Sequence, residues 1–160
     1  SVAYTDSCLG VFIDELKETK EWEDALIVLV PDHNMRYPAN EMNYTDRRHS
    51  IFMLWLGGAI KQPCVVDRYC SQVDIAATLL AQLGIDHSEF SFSKNILNPT
   101  VNEFAFYDFP NGLGMLSPDG KVAYDCASNR VLVEEGAGAD SLLNQGKAYL
   151  QCLYSDIQSK

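Results

Sequence analysis

Residues 25–33 of this chain read Ala25-Leu26-Ile27-Val28-Leu29-Val30-Pro31-Asp32-His33. The apolar run is too short for a typical helix, contains β-branched residues and stops at a proline, which predicts a buried central strand. Open α/β sheets bind ligands at the carboxyl ends of their strands. We therefore expect the carboxylate of Asp32 and the imidazole of His33 to bind one divalent cation together. The alternative is a strand-end Asp that caps a turn beside a hydrogen-bonded histidine.

The segments around this strand predict a layered α/β domain. In chain order they are a helix capped by Thr5 or Asp6, the strand 25–30, a polar loop 32–48, a second buried strand 50–56 ended by Gly57-Gly58, and a helix capped by Ser71 and stopped by Gly84. Neither strand alternates between apolar and polar residues, so both faces of the sheet are expected to be covered by helices.

Residues 99–160 follow a different pattern. Short apolar runs separated by turn signals such as Asn111-Gly112 predict an antiparallel β meander. An amphipathic helix is expected from Asp140 to about Ile157. We therefore divide the chain into an α/β part, 1–98, and a meander with a terminal helix, 99–160, packed on the same domain.

Composition and charge exclude several classes of protein. With 160 residues, 47% of them hydrophobic and 21% charged, the chain is typical of a globular domain. A formal net charge of −10 excludes nucleic acid as a partner, because few cations are present to neutralise phosphates. There is no apolar run long enough to span a membrane. The five cysteines form no CxxC pair, and either a Cys64–Cys70 bridge or five packed thiols is compatible with the sequence.

An ordered set of motifs resembles the C-terminal half of the sulfatase and alkaline-phosphatase superfamily. Within it, the chain is most similar to the lipoteichoic-acid-synthase-type sulfatase-domain proteins of bacterial membranes. The motifs are Tyr4-Thr5-Asp6 with Leu9-Gly10-x-Phe12, the stretch 27–33, Leu54-Trp55-Leu56-Gly57-Gly58-Ala59, the stretch 71–80 beginning Ser71-Gln72-Val73-Asp74-Ile75, and Phe106-Tyr107 with Asn111-Gly112-x-Gly114. The resemblance implies the fold of an alkaline-phosphatase-like enzyme.

The resemblance also implies that Asp32 and His33 are two ligands of a catalytic divalent metal. A carboxylate with an imidazole suits Mn²⁺ or Zn²⁺, and Mg²⁺ or Ca²⁺ are the alternatives. The nucleophile and a further carboxylate would come from an N-terminal half outside this chain, which begins at Ser1 without methionine. We expect the fragment alone to be inactive. The family usually has glycine after Asp-His, whereas this chain has Asn34, the commonest non-glycine residue at positive φ.

The resemblance implies an anionic phosphate or sulfate ester as the substrate, with lipid-linked phosphoglycerol as the favoured example. Arg48 and His49 could bind it from the polar loop, although a solvated arginine and a surface histidine are the alternative. The resemblance places the parent protein on the extracytoplasmic face of a bacterial membrane, anchored only through a missing N-terminal region. Two other functions stay open: a sulfatase that hydrolyses sulfate esters, and a non-catalytic binding domain. We interpret Asp74, in the first turn of its helix, as structural.

Overall fold

The computed structural model describes residues 2–34 and 40–160, so residues 35–39 of the predicted polar loop lie outside the described residues. The chain forms two compact units. The first takes its described residues from Ser1–Asn34 and Ile51–Val65, and the second from Met35–Ser50 and Val66–Lys160. The division of the chain at residues 98 and 99 stays a prediction.

The first unit consists of a long helix, a single 3-10 turn and two short paired strands. Its elements are α1 (Val2–Lys17), the 3-10 helix (Lys20–Asp24), β1 (Ile27–Leu29) and β2 (Leu54–Leu56). The strands are antiparallel, with Val28 opposite Trp55. Both predicted strands exist but are shorter than expected. The predicted cap at Thr5 or Asp6 is wrong, because α1 already begins at Val2.

Gly57 and Gly58 end β2 by bringing the backbone onto the segment that precedes β1. The Gly58 amide donates to the carbonyl of Trp22 at 2.9 Å, and the Ala59 amide to that of Ala25 at 3.2 Å. Gly57 has a φ of 121°, and a Cβ there would overlap the Ala25 carbonyl oxygen. Only glycine fits this close approach. The predicted role of the Gly57-Gly58 pair as the strand end is therefore confirmed.

The strands of the first unit are less buried than the sequence indicated. All of β1 is half-buried, and Leu54 of β2 is exposed. Within this unit one helix and two strands provide too little apolar surface to cover both faces of the strand pair. The expectation of two fully buried strands is therefore wrong for the described residues.

The second unit contains the meander and its helices. Its elements are α2 (Asp46–His49), α3 (Asp74–Gln82), β3 (Ala105–Phe109), β4 (Gly112–Ser117), β5 (Gly120–Asp125), β6 (Arg130–Glu135) and α4 (Ala139–Gln158). The four strands pair antiparallel in chain order, which confirms the predicted meander. Pro110 and Asn111 form the first hairpin loop, where Asn111 has a φ of 65°. The predicted terminal helix is confirmed as α4.

The core of this unit lies between α4 and the middle of the meander. Met115 of β4, Val122 of β5 and Leu142 of α4 form its buried cluster, with Phe104 and Leu143 packed at the edge. Burying apolar side chains of this size contributes about 1.5–3 kcal/mol each. The meander and α4 therefore stabilise each other.

The start of α3 differs from the sequence prediction. The helix begins at Asp74, with Val73 as the preceding residue and no side-chain cap. The Ser71 hydroxyl instead accepts a hydrogen bond from the Phe106 amide at 2.8 Å and donates to the Phe106 carbonyl at 3.0 Å. Ser71 thus connects the residues that precede α3 with β3. The two partners are 35 positions apart, and no local pattern encodes such a contact. At the other end, the predicted stop is confirmed, since Gly84 has a φ of 67°.

Gly146 of α4 packs closely on the meander, and this contact gives a stability prediction. A Cβ at Gly146 would lie 2.8 Å from Cδ1 of Leu113. We expect Gly146→Val to lower the free energy of unfolding by about 1–3 kcal/mol, because the added methyl groups overpack this contact. Urea unfolding measures the change, and Ala148→Val, at an exposed position of the same helix, is the control. Equal effects of the two substitutions would contradict close packing at Gly146.

Candidate functional site

Asp32 and His33 lie just beyond β1 in the first unit. A bend of the backbone carries both residues, after Pro31 has ended the strand region. The Asp32 side chain is 88% exposed and the His33 side chain 73% exposed. Two hydrophilic side chains presented this openly add little to folding, so they are available to bind a ligand.

The side-chain oxygen and nitrogen atoms of this pair that could bind a metal lie close together. The His33 amide donates to Oδ1 of Asp32 at 2.9 Å, and Nε2 of His33 lies 3.6 Å from Oδ2 of Asp32. The Nδ1 atom of His33 is 3.1 Å from the carbonyl oxygen of Asn34. Because a carbonyl oxygen only accepts, Nδ1 is the donor in this contact, and in the neutral imidazole Nε2 then carries the lone pair. Histidine ligands of metals are commonly oriented by such a hydrogen bond.

The separation of these donors fits a shared cation. Two ligands of a tetrahedral ion, each about 2.1 Å from it, lie about 3.4 Å apart. The observed 3.6 Å between Nε2 of His33 and Oδ2 of Asp32 is close to this value. Within residues 2–34 and 40–160, however, no group of three or more His, Cys, Asp or Glu side chains could hold a metal. The pair offers two donors, and a four-coordinate ion needs others.

Arg48 and His49 lie in the second unit, on the short helix α2. The Nε2 atom of His49 is 2.8 Å from the carbonyl oxygen of Asn43, so Nε2 carries a proton. Arg48 is half-buried. The neighbouring Arg47 has its Nη1 atom 3.5 Å from Oε1 of Glu41. The structure therefore brings Arg48 and His49 together within one turn, in a different unit from Asp32 and His33.

Tyr107 of β3 contacts the segment that carries these residues. Its ring stacks on that of His49, with centroids 4.3 Å apart and planes 20° apart. Its hydroxyl donates to the carbonyl of Tyr44 at 2.8 Å. Burial raises the pKa of the Tyr107 phenol, and the Asp46 carboxylate raises it further. The phenol therefore stays protonated and keeps donating above pH 10, its ordinary pKa.

Lys121 makes a second contact between the meander and this segment. Its Nζ atom lies 3.4 Å from Oδ2 of Asp46 and 3.3 Å from Oε1 of Glu135. Sequence analysis missed both Lys121 and Tyr44 as neighbours of the predicted substrate residues. They are separated from their partners by 75 and 63 positions, and no periodic signal connects positions so far apart.

Asp74 and Arg68 have structural contacts. Asp74 is 2% exposed, and its carboxylate accepts from the Ser71 amide at 2.8 Å, from the Lys94 amide at 3.0 Å and from the Lys94 ammonium. The interpretation of Asp74 as structural agrees with this network. Arg68 donates to three carbonyls, those of Ile96 at 3.0 Å, Asn98 at 2.9 Å and Val101 at 2.7 Å.

The comparisons with known proteins identify the family. A family model described as Sulfatase matches residues 1–85, more than half of the chain. The chain belongs to the sulfatase family. No curated protein matches it. Among the helices of the described residues, none is long and apolar enough to cross a membrane.

A solved structure agrees with this assignment. The chain is similar to the crystal structure of a protein in the alkaline phosphatase superfamily from Vibrio parahaemolyticus, with 24% identity and a TM-score of 0.78. The match covers 98% of this chain and 40% of that chain. The chain thus has the α/β fold of the alkaline-phosphatase superfamily, as the sequence motifs predicted, and spans less than half of the length of that protein.

Proposed function

We propose that this chain is part of a metal-dependent enzyme that transfers or hydrolyses a phosphate or sulfate ester. The observation that carries the proposal is the convergence of the Asp32 carboxylate and the Nε2 lone pair of His33 beyond β1. These two residues would hold Mn²⁺ or Zn²⁺, with Mg²⁺ or Ca²⁺ as alternatives. A bound divalent ion would neutralise negative charge on the ester oxygens and acidify a hydroxyl nucleophile.

The remaining ligands and the nucleophile would come from polypeptide outside these 160 residues. Two observations support this part of the proposal. The described residues offer two metal donors at this site but no group of three, and the chain spans 40% of the similar Vibrio protein. We accordingly expect the isolated fragment to be inactive.

Arg48 and His49 are the residues that we propose bind the anionic ester. A guanidinium donates two parallel hydrogen bonds to a phosphate or sulfate, and it stays charged at every physiological pH. The motif resemblance to lipoteichoic-acid-synthase-type proteins makes phosphoglycerol, transferred from a lipid, the favoured substrate. It also supports a location on the extracytoplasmic face of a bacterial membrane, with anchoring by a segment outside this chain.

A sulfatase is the second candidate, because the family model that matches residues 1–85 carries that description. Sulfate and phosphate monoesters both present tetrahedral anions, so Arg48 and the metal ligands would serve either. The two candidates differ in the substrate that the complete protein turns over.

The natural full-length protein, assayed with aryl phosphomonoesters, aryl phosphodiesters and aryl sulfates, tests the proposal. We expect turnover of at least one class, a loss of at least about 100-fold after chelation, and recovery on adding Mn²⁺ or Zn²⁺. The isolated fragment serves as the inactive control. Full activity of the metal-free protein would contradict the metal dependence. A full-length protein inactive on every ester would contradict the enzyme proposal and favour the non-catalytic binding domain.

A further inference from the structure

The meander has two faces, and α4 packs on one of them. Phe106 of β3 points to α4, where its ring lies 4.5 Å from that of Tyr149. Because side chains alternate along a strand, the neighbouring Tyr107 points to the opposite face. On that face Tyr107 lies directly across from Gly114 of β4, where a Cβ would overlap its ring. The glycine therefore creates the space that the tyrosine ring occupies.

The segment 40–50 docks on this second face through two side chains of the meander. Tyr107 stacks on His49 and donates to the carbonyl of Tyr44, so one side chain contacts both ends of a six-residue stretch. Lys121, on the same face, pairs with Asp46 between these contacts. Within the segment, turn hydrogen bonds join the Thr45 amide to Met42 and the Arg48 amide to Thr45. The segment's conformation thus depends on the meander as well as on its own turns.

We infer that Tyr107 is a positioning residue for ester binding: it sets the place of His49 and Arg48 and thereby determines how tightly the protein binds an anionic phosphate or sulfate ester. This inference rests on the proposed function of Arg48 and His49. Tyr107 itself needs no contact with the ester, because its ring is covered by the His49 imidazole and its hydroxyl is used by the Tyr44 carbonyl. The meander then holds the segment 40–50 in the conformation that binds the ester.

Two substitutions of Tyr107 in the full-length protein separate its contacts. Tyr107→Phe keeps the stacked ring and removes the hydrogen bond to Tyr44, and we expect KM for the aryl ester to rise about 3-fold. Tyr107→Leu removes both contacts, and we expect KM to rise about 10-fold. In both variants kcat should stay within about 2-fold of the wild type, because the lost interaction positions binding groups in the ground and transition states alike.

Gly114→Ala reaches the same contact without changing Tyr107. Since the new methyl group overlaps the tyrosine ring, the ring must leave its present position, and its stacking on His49 is lost. We expect KM to rise toward the Tyr107→Leu value. This variant keeps the tyrosine ring but changes its position, so it tests whether the position of the ring determines KM.

Matched controls come from two other aromatic residues of the meander. Phe106 is half-buried like Tyr107 but faces α4, and Phe106→Leu removes an aromatic ring from the opposite face. Tyr124 donates to Oδ1 of Asn129 at 2.6 Å on the face toward α4, and Tyr124→Phe removes one phenol hydrogen bond there. Neither control should change KM by more than about 2-fold.

Hydrogen exchange supplies a readout that needs no substrate. In Tyr107→Leu we expect the amides of Thr45 and Arg48 to exchange about 3–10-fold faster, while they keep wild-type rates in both controls. If the wild-type protein is active but the Tyr107 variants leave KM or this exchange unchanged, the positioning role is overturned and the proposed function stands. Equal effects in Phe106→Leu would likewise overturn the positioning role. A wild-type protein inactive on every ester would overturn both.

Discussion

Asp32→Ala or His33→Ala in the natural full-length protein is expected to lower metal-dependent ester turnover by at least about 10³-fold. Each substitution removes one of the two donors beyond β1 that we propose bind the divalent ion, so the ion would be bound less tightly. Titration calorimetry with Mn²⁺ should show a loss of affinity of more than about 100-fold. Because both side chains are exposed, the free energy of unfolding should change by less than about 0.5 kcal/mol.

A second Asp-His pair in the chain provides the control. Asp86 and His87 follow α3 in the second unit, and the Asp86 carboxylate accepts from the amide and hydroxyl of Ser88, which lowers its pKa. Asp86→Ala and His87→Ala change the same residue types in the same order, in the second unit. Turnover and Mn²⁺ affinity should stay within about 2-fold of the wild type. Full metal-dependent activity in either Asp32→Ala or His33→Ala would contradict the ligand assignment.

Asp74→Ala is expected to have the largest effect on stability, lowering the free energy of unfolding by about 3–5 kcal/mol. The substitution leaves the Lys94 ammonium without its carboxylate in a site where the lysine side chain is 13% exposed. It also removes the acceptor of the Ser71 and Lys94 amides. Unsatisfied buried groups of this kind are costly, because water no longer solvates them. Urea unfolding followed by near-ultraviolet circular dichroism measures the change.

The exposed ion pair of Asp156 with Lys160 at the end of α4 is the matched control. Its Nζ–Oδ2 distance is 2.7 Å, and the side chains of Lys160 and Asp156 are 74% and 42% exposed. Asp156→Ala should cost less than about 1 kcal/mol, since water replaces the lost partner. If Asp74→Ala and Asp156→Ala had equal effects, the buried network around Asp74 would not be the source of stability that we describe.

The elements that follow from patterns among consecutive residues in the second unit were predicted correctly. Short apolar runs separated by turn residues indicated β3 to β6, and the helical spacing of leucines indicated α4. Both signals come from residues close together in the sequence. Helix starts were less accurate: α1 begins before its expected cap, and Ser71 bonds to Phe106 rather than capping α3. The hydroxyl of a short polar side chain can bond to the backbone at a helix start or to a distant strand, and only the packing of the folded chain determines which of the two it bonds to.

The sequence by itself determined the Asp32–His33 pair, because neighbours in the chain bring an oxygen and a nitrogen donor together wherever the strand ends. It also determined the meander and the family. The tertiary structure alone decided that Tyr107 supports His49 and Tyr44, and that Lys94 pairs with Asp74. Those partners are separated by 20 to 63 positions, and contacts over such distances depend on how whole elements pack, which no local pattern encodes.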